Sequence, residues 1–313
     1  MIKIKNNNIY VCMYHYVQDK NKSSFPNLNF LPLSIFRNQL DFFKKNFNVL
    51  NFEDFKQIID TKKIPKKPSI LLTFDDGYKD HYENVFPLLV EKKMTGIFYG
   101  PVKTIENKIV LDVNKIHIIL SLEKNRKKLI LLISKYLKNL FNKKLNQFSN
   151  KKLLRHAAWD DNETHLIKAL LQYLLPEKIR LKIIDKLFFD IVKSKESVIS
   201  KLYYLNKKNV KEMIKNGMYF GSHGNYHKYW EKLSYKEQKL EIDISSKFYQ
   251  GLGVDKSNFS VCYPYGSYNK NTLKILHKEK INFAFRDQFG LINKENIKKK
   301  FEYLRVDTNY FKL

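Results

Sequence analysis

Two aspartates stand side by side in the stretch LLTFDDGYKD, residues 71–80: Asp75 and Asp76 follow an apolar run directly and precede Gly77. Adjacent like charges repel unless a cation separates their roles. His223 and His227, in FGSHGNYHKYW, offer the rest of such a site. One carboxylate and two imidazoles are the ligands a catalytic zinc-like ion takes when it keeps a position open for water. In this reading a divalent ion holds Asp76, His223 and His227. The neighbouring aspartate then acts as base toward the ion's water, whose pKa falls from about 16 to near 7 on binding. The chemistry implied is metal-assisted hydrolysis of an amide or ester. An HxxxH spacing alone is a weak signal, since two solvent-facing loop histidines explain it equally well. It gains weight from the paired aspartates and from Gly77, whose freedom at positive φ lets the chain turn so that both carboxylates face one way.

Positioning these groups requires a scaffold, and the sequence describes one. Short apolar runs at 9–14, 48–50, 69–74, 95–99, 218–221, 259–263, 281–285 and 303–306 alternate with helical patterns. That order is the signature of parallel strands joined by crossover helices, and predicts a (β/α) barrel or a close relative. Phe36, Leu40, Phe43 and Phe47 recur at three- and four-residue spacing as one apolar helix face. Ser234 with Glu237 reads as a capping box, opening a helix lined by Leu240, Ile244 and Phe248 that Gly251 can end. In parallel barrels reactive groups gather at the carboxyl ends of strands. Here His15 follows one strand end, Asp75 and Asp76 a second, His223 and His227 a third and YPYGSYN a fourth. Asp307 follows Arg305 at the last.

The interval 103–200 breaks the rhythm. It is rich in Lys, Leu and Ile with almost no glycine, and reads as amphipathic helices, one opened by Asp160 with Glu163. The expected organisation is a barrel of 1–102 and 201–313 with a helical insertion at 103–200, serving as padding or as a lid over the barrel.

The 313 residues are 43% hydrophobic, ample for a large core, and carry a formal charge of +27. Such an excess suits phosphate-bearing partners or an anionic membrane surface, and a solvated lysine surface explains it as well. With no nucleic-acid motif and no basic arm, nucleic acid ranks last among partners. Cys12 and Cys262 lie in apolar runs and read as buried reduced thiols. The first residues show no secretory signal, and LILLIS and IHIILSL are too short to span a bilayer. The expectation is a cytoplasmic protein, or one peripheral at the inner membrane face.

TFDDGY, SHGNYH and CYPYGSYN resemble three motifs of the polysaccharide deacetylase family, carbohydrate esterase family four. MYHYV and RVD resemble its branch acting on cell-surface glycans. The similarity covers 9–100 and 201–310. It implies a distorted barrel of the polysaccharide deacetylase type, with Asp75 as general base, Asp76, His223 and His227 as ligands of a divalent metal such as zinc, and the Tyr265 backbone N–H as oxyanion donor. The activity implied is removal of N-acetyl groups from amino sugars of a surface polysaccharide or its nucleotide- or lipid-linked precursor. Removal of another acyl group such as formyl from a lipid-linked sugar, and a non-catalytic glycan- or membrane-binding protein on the same fold, are the alternatives.

Two departures stand out. The family takes a general acid from a late Leu-x-His segment, but this chain ends LRVDTNYFKL. His277 sits mid-helix as a surface or packing residue. His15, at a strand end, is the candidate acid, with a hydrogen-bonded core histidine as its other reading. Arg305 orients Asp75 through a bidentate pair or is a structural partner of Asp307. The second departure is the 147-position gap between Asp76 and His223, which holds the insertion.

Overall fold

The computed structural model of the chain describes residues 2–106, 108–148 and 161–311. Two compact units emerge: Met1–Lys20, Phe30–Ile109 and Ser200–Leu313 form one, Asn21–Asn29 and Val110–Ile199 the other.

The first unit is built on β1 (Ile9–Tyr14), β2 (Asn48–Leu50), β3 (Ser69–Asp75), β4 (Ile97–Gly100), β5 (Tyr219–Ser222), β6 (Val261–Cys262), β7 (Ala284–Phe289) and β8 (Tyr303–Asp307). All pairings among them are parallel, in the order β1-β8-β7-β6-β5-β4-β3, and β3 returns to β1, so among the described residues seven strands close a ring. This is the α/β barrel predicted from the alternation. β1 occupies one edge of β3 along residues 69–74. The other edge is shared in succession: β2 pairs with 69–71 and β4 with 73–75. Every residue of β1, β3 and β4 is buried, as parallel strands covered on both faces require.

Alternation along the strands divides the core in two. Tyr10, Cys12, Tyr14, Ile70, Leu72 and Phe74 pack outward with Phe36, Leu40 and Phe43 of helix Leu33–Asn46, the face predicted from their spacing. Ile9, Val11, Leu71, Ile97, Cys262, Phe285 and Tyr303 point inward. They meet Phe52, Phe55 and Ile59 of helix Phe52–Thr61, which plugs the barrel where the strands begin. The rule that puts Leu71 in the lumen also puts Thr73 and Asp75 there, at the carboxyl end of β3.

One expectation for this unit fails. Helix Tyr235–Gln250 has the predicted Ser234–Glu237 capping box and ends at Gly251, but its buried face is Gln238, Glu241, Ile242, Ser245 and Tyr249. Leu240 is 57% exposed. Polar residues win the buried face because each is hydrogen-bonded: Ser245 with Ser222, Gln238 with Thr272, and Glu241 with the loop after β5.

The second unit contains helices Asp112–Leu122, Arg126–Phe141, Asn162–Ala169 and Glu177–Val192. Its buried Lys115 is neutralised by Asp185 at 2.7 Å and Glu196 at 3.1 Å. Asp161 caps helix Asn162–Ala169, accepting from Thr164 N; the predicted Asp160 lies outside the described residues. Among the described residues no helix is long and apolar enough to cross a membrane.

Candidate active site

A strand that simply continued past Asp75 would send Asp76 to the opposite face. Instead Asp76 and Gly77 both adopt left-handed backbone, φ 70° and 68°, and the chain turns so that the two carboxylates stay together. Gly77 also lacks room for a side chain, since a Cβ there would lie 3.1 Å from Gly100 Cα. Asp76 is one of three site residues in this unfavourable region, with His227 and Tyr265, both at φ 56°. Such backbone costs an ordinary residue roughly 1–2 kcal/mol each time, and it clusters where a side chain must be aimed.

Asp76, His223 and His227 converge. Both imidazole Nε2 atoms lie 3.4 Å from Asp76 Oδ1 and 3.1 Å from each other. The centre of that triangle is about 1.9 Å from each corner, close to the roughly 2.0–2.2 Å that zinc keeps to nitrogen and oxygen. Asp76 Oδ1 is buried and has no hydrogen-bond partner, while Oδ2 accepts from the Tyr78 hydroxyl at 2.5 Å. His223 Nδ1 bonds the Cys262 carbonyl at 2.8 Å; as donor there it leaves the Nε2 lone pair to the site. His227 is held by packing instead, its ring edge-on to Tyr265 at 4.4 Å. An orphaned carboxylate oxygen beside two aimed nitrogens is the donor set that a divalent cation fits.

The charge states of two of the three donors agree; at His223 burial is outweighed by Cys262, Asp76 and Asp75, which hold its pKa well above the usual imidazole range, so a bound ion would displace a proton there. Burial alone raises a carboxyl pKa, but His223 and His227 override it and hold Asp76 well below the usual range. Burial pushes His227 down to about 3, so it is neutral at pH 7 as a ligand must be.

Asp75 stands apart from this set. Arg305 grips it bidentately, Nη1 to Oδ1 at 2.9 Å and Nη2 to Oδ2 at 2.6 Å, with both side chains almost fully buried. Burial works to raise the Asp75 pKa; the guanidinium overcomes it and holds the carboxyl down to about 2. Arg305 Nε donates to the Arg286 carbonyl and Nη1 reaches Thr73 Oγ1, which fixes the fork. Asp307 caps the following turn through Asn309 N, so of the two partners for Arg305 the guanidinium takes Asp75. The Cys262 thiol, which like that of Cys12 is in no disulfide, lies 3.5 Å from Asp75 Oδ2.

His15 is half-buried where β1 ends, and its side chain is close enough to influence the charges of Asp75, Asp76 and His227. Tyr265 lies in the turn Pro264–Gly266, its ring stacked on Tyr229 at 4.0 Å and 7°. His277 is exposed and packs edge-on to Phe301, away from the cluster.

The sequence reading assigned no part to several residues that shape this site. Tyr78 anchors Asp76. Glu241 accepts the Asn225 and Tyr226 N–H groups at 2.6 and 3.1 Å and so folds the loop carrying His223 and His227. Gly224, φ 75°, is required beneath it, because a Cβ would lie 2.9 Å from Glu241 Oε2. Tyr78 sits within the quoted motif and was open to notice; Glu241 lies mid-helix among charged residues and carries no local signal.

The model of the family described as polysaccharide deacetylase matches residues 62–117 and 158–284. No curated protein matches the sequence. Among solved structures, the chain is similar to the Streptococcus pyogenes deacetylase PplD in complex with acetate, at 17% identity and TM-score 0.58, covering 97% of this chain and 93% of that one. It is also similar to IcaB from Ammonifex degensii, at 14% identity and TM-score 0.55, over 96% and 92%. The de-N-acetylase from Aggregatibacter actinomycetemcomitans matches at 15% identity and TM-score 0.53, over 96% and 95%. At these identities the likeness speaks for the fold.

Proposed function

The chain belongs to the polysaccharide deacetylase family, and on that premise we propose that it hydrolyses the N-acetyl groups of amino sugars in a polysaccharide or its lipid- or nucleotide-linked precursor. The observation that carries this reading is the pair of adjacent carboxylates held in different roles. One oxygen of Asp76 is orphaned between two imidazole nitrogens, while Asp75 is locked to a guanidinium. Asp76, His223 and His227 would hold a divalent ion, zinc by its donor set, which when bound polarises the acetyl carbonyl and makes water acidic enough to attack.

The remaining work falls to the chain's own side chains. Asp75 stays ionised through the neutral range and accepts the proton of the attacking water, in an orientation fixed by Arg305. The Tyr265 N–H donates to the oxygen of the tetrahedral intermediate, a contribution of roughly 3–4 kcal/mol where such donors have been removed. His15 gives its proton to the departing amine nitrogen, and free amino sugar and acetate result. A deacetylase holding acetate and a de-N-acetylase on the same fold support this direction.

The test is acetate release from N-acetylglucosamine oligomers by purified protein, with chelator abolishing it and added zinc restoring it. Asp75→Asn should keep its metal and lose turnover. A protein that binds no divalent ion and releases neither acetate nor formate from oligomers, nucleotide-linked or lipid-linked sugars would overturn the assignment.

A further inference from the structure

The segment that carries His15 is clamped by one short stretch of chain that follows the paired aspartates. His81 and its cage of Phe74, Tyr78 and Phe98 are buried, with ring centroids 5.5–5.8 Å apart. The His81 Nε2 lies 2.7 Å from the His15 carbonyl oxygen, and since that oxygen can only accept, His81 donates. Burial holds the His81 pKa down to about 4, so the ring is neutral and its single proton is committed to this bond. Asp80 Oδ2 accepts the Val17 N–H at 3.0 Å, and Asn84 Nδ2 donates to the Val17 carbonyl at 2.8 Å. Positions 80, 81 and 84 share one face at three- and four-residue spacing, across a turn of π-helix at His81–Val85. Three side chains thus hold both sides of His15–Val17, just where β1 has ended and only the short pairing of Val17–Gln18 with Leu31–Pro32 continues the backbone bonding.

We propose that Asp80, His81 and Asn84 are positioning residues that aim the His15 imidazole at the leaving group. The inference rests on the reading of His15 as the general acid. At His15 the clamp touches backbone alone, which is the economical way to fix a side chain that must gain and lose a proton. A bond to the imidazole itself would commit one of its nitrogens. Asp80 and His81 thereby also account for two buried polar side chains that have no place in the metal cluster or the Asp75 pair.

Two substrates decide it: an N-acetylglucosamine oligomer, whose amine must be protonated to leave, and 4-nitrophenyl acetate, whose leaving group departs unaided as a stable anion. His81→Leu should lower kcat on the oligomer about 10- to 100-fold, part of the 10²–10⁴ an acid supplies, with KM and bound zinc unchanged. On the aryl ester the loss should stay within about threefold. His81→Gln, which restores a donor near Nε2, should recover most of the oligomer activity. If His81→Leu does not fold, Asn84→Leu at the half-buried end of the clamp carries the same expectation. Equal losses on both substrates, or no loss on either, would overturn the clamp. Failure of the acid reading looks different: His15→Asn would then treat oligomer and ester alike.

Discussion

Replacing Arg305 by methionine tests how the charge on Asp75 is maintained. The pair is buried, so losing Arg305 leaves a carboxylate without water and without its guanidinium partner, a loss of about 3–5 kcal/mol near neutral pH. Part of that loss depends on pH. The folded Asp75 pKa is depressed to about 2, against about 3.9 in an unfolded chain. Its contribution is therefore fully present above about pH 4 and is lost as pH falls through 2. At about 1.36 kcal/mol per pH unit, it amounts to roughly 2–3 kcal/mol. In the variant the main opposing cation is gone and burial, countered only by His223 and His15, should raise the Asp75 pKa, so the sign reverses: this group then costs stability as pH rises. Urea unfolding of metal-free wild type and Arg305→Met, compared at each pH from 2 to 8, cancels the titration of every other group. The lost bonds to Arg286 and Thr73 enter only as a constant offset. The stability gap should widen by at least roughly 2 kcal/mol between pH 2 and 7. In parallel, the acid limb of kcat/KM on an N-acetylglucosamine oligomer should move to higher pH, because a protonated Asp75 cannot take a proton from water. A gap independent of pH would refute the idea that the guanidinium keeps Asp75 ionised.

Three further outcomes are expected. Tyr78→Phe removes the hydroxyl on Asp76 Oδ2 and should weaken zinc binding about 10- to 100-fold in a competitive chelator titration, with activity returning at high metal. Gly77→Ala places a Cβ against Gly100 in left-handed backbone and should lower stability by at least about 1–2 kcal/mol, read as a fall in Tm. Asp80 is pushed up to about 8 by burial, so the folded chain keeps its proton where the unfolded chain has lost it. Wild type therefore loses stability from this group as pH rises from about 4 to 8. Asp80→Asn should gain on wild type between pH 5 and pH 8 in the same unfolding assay, and an unchanged gap would show that Asp80 ionises normally.

The eight strands of the sheet were legible because parallel strands buried on both faces leave unbroken apolar runs, and the runs at 9–14 and 48–50 match β1 and β2 to the residue. The run at 259–263 over-reads β6, Val261–Cys262, since the flanking Phe259 and Tyr263 are buried and each meets the neighbouring segment through a single backbone bond, to Asn282 and Phe285. Asp75, Asp76, His223 and His227 could be found because each sits within a few residues of a strand end. The choice of Asp75 as the partner of Arg305 could not: it is made across the lumen by 230 positions of intervening fold. The same holds for helix Tyr235–Gln250, where Leu240, Ile244 and Phe248 line one side, but Leu240 is exposed and Phe248 packs against the core only in part. A periodicity rule counts methyl groups and cannot see that Glu241, Ser245 and Gln238 find partners on other segments. Likewise, nothing near Asp80 and His81 in sequence announces that residues 15 and 17 lie beside them.

Ring closure gives the order of synthesis a meaning. β8 seals the gap on the far side of β1 and carries the guanidinium that Asp75 requires, so a nascent chain that has made every other strand still exposes an open ladder edge and a naked acid inside its half-built cylinder. The last barrel strand thus delivers closure of the ring and charge compensation in one stroke, and a chain cut short before it is expected to stick to its neighbours and to leave Asp75 uncompensated.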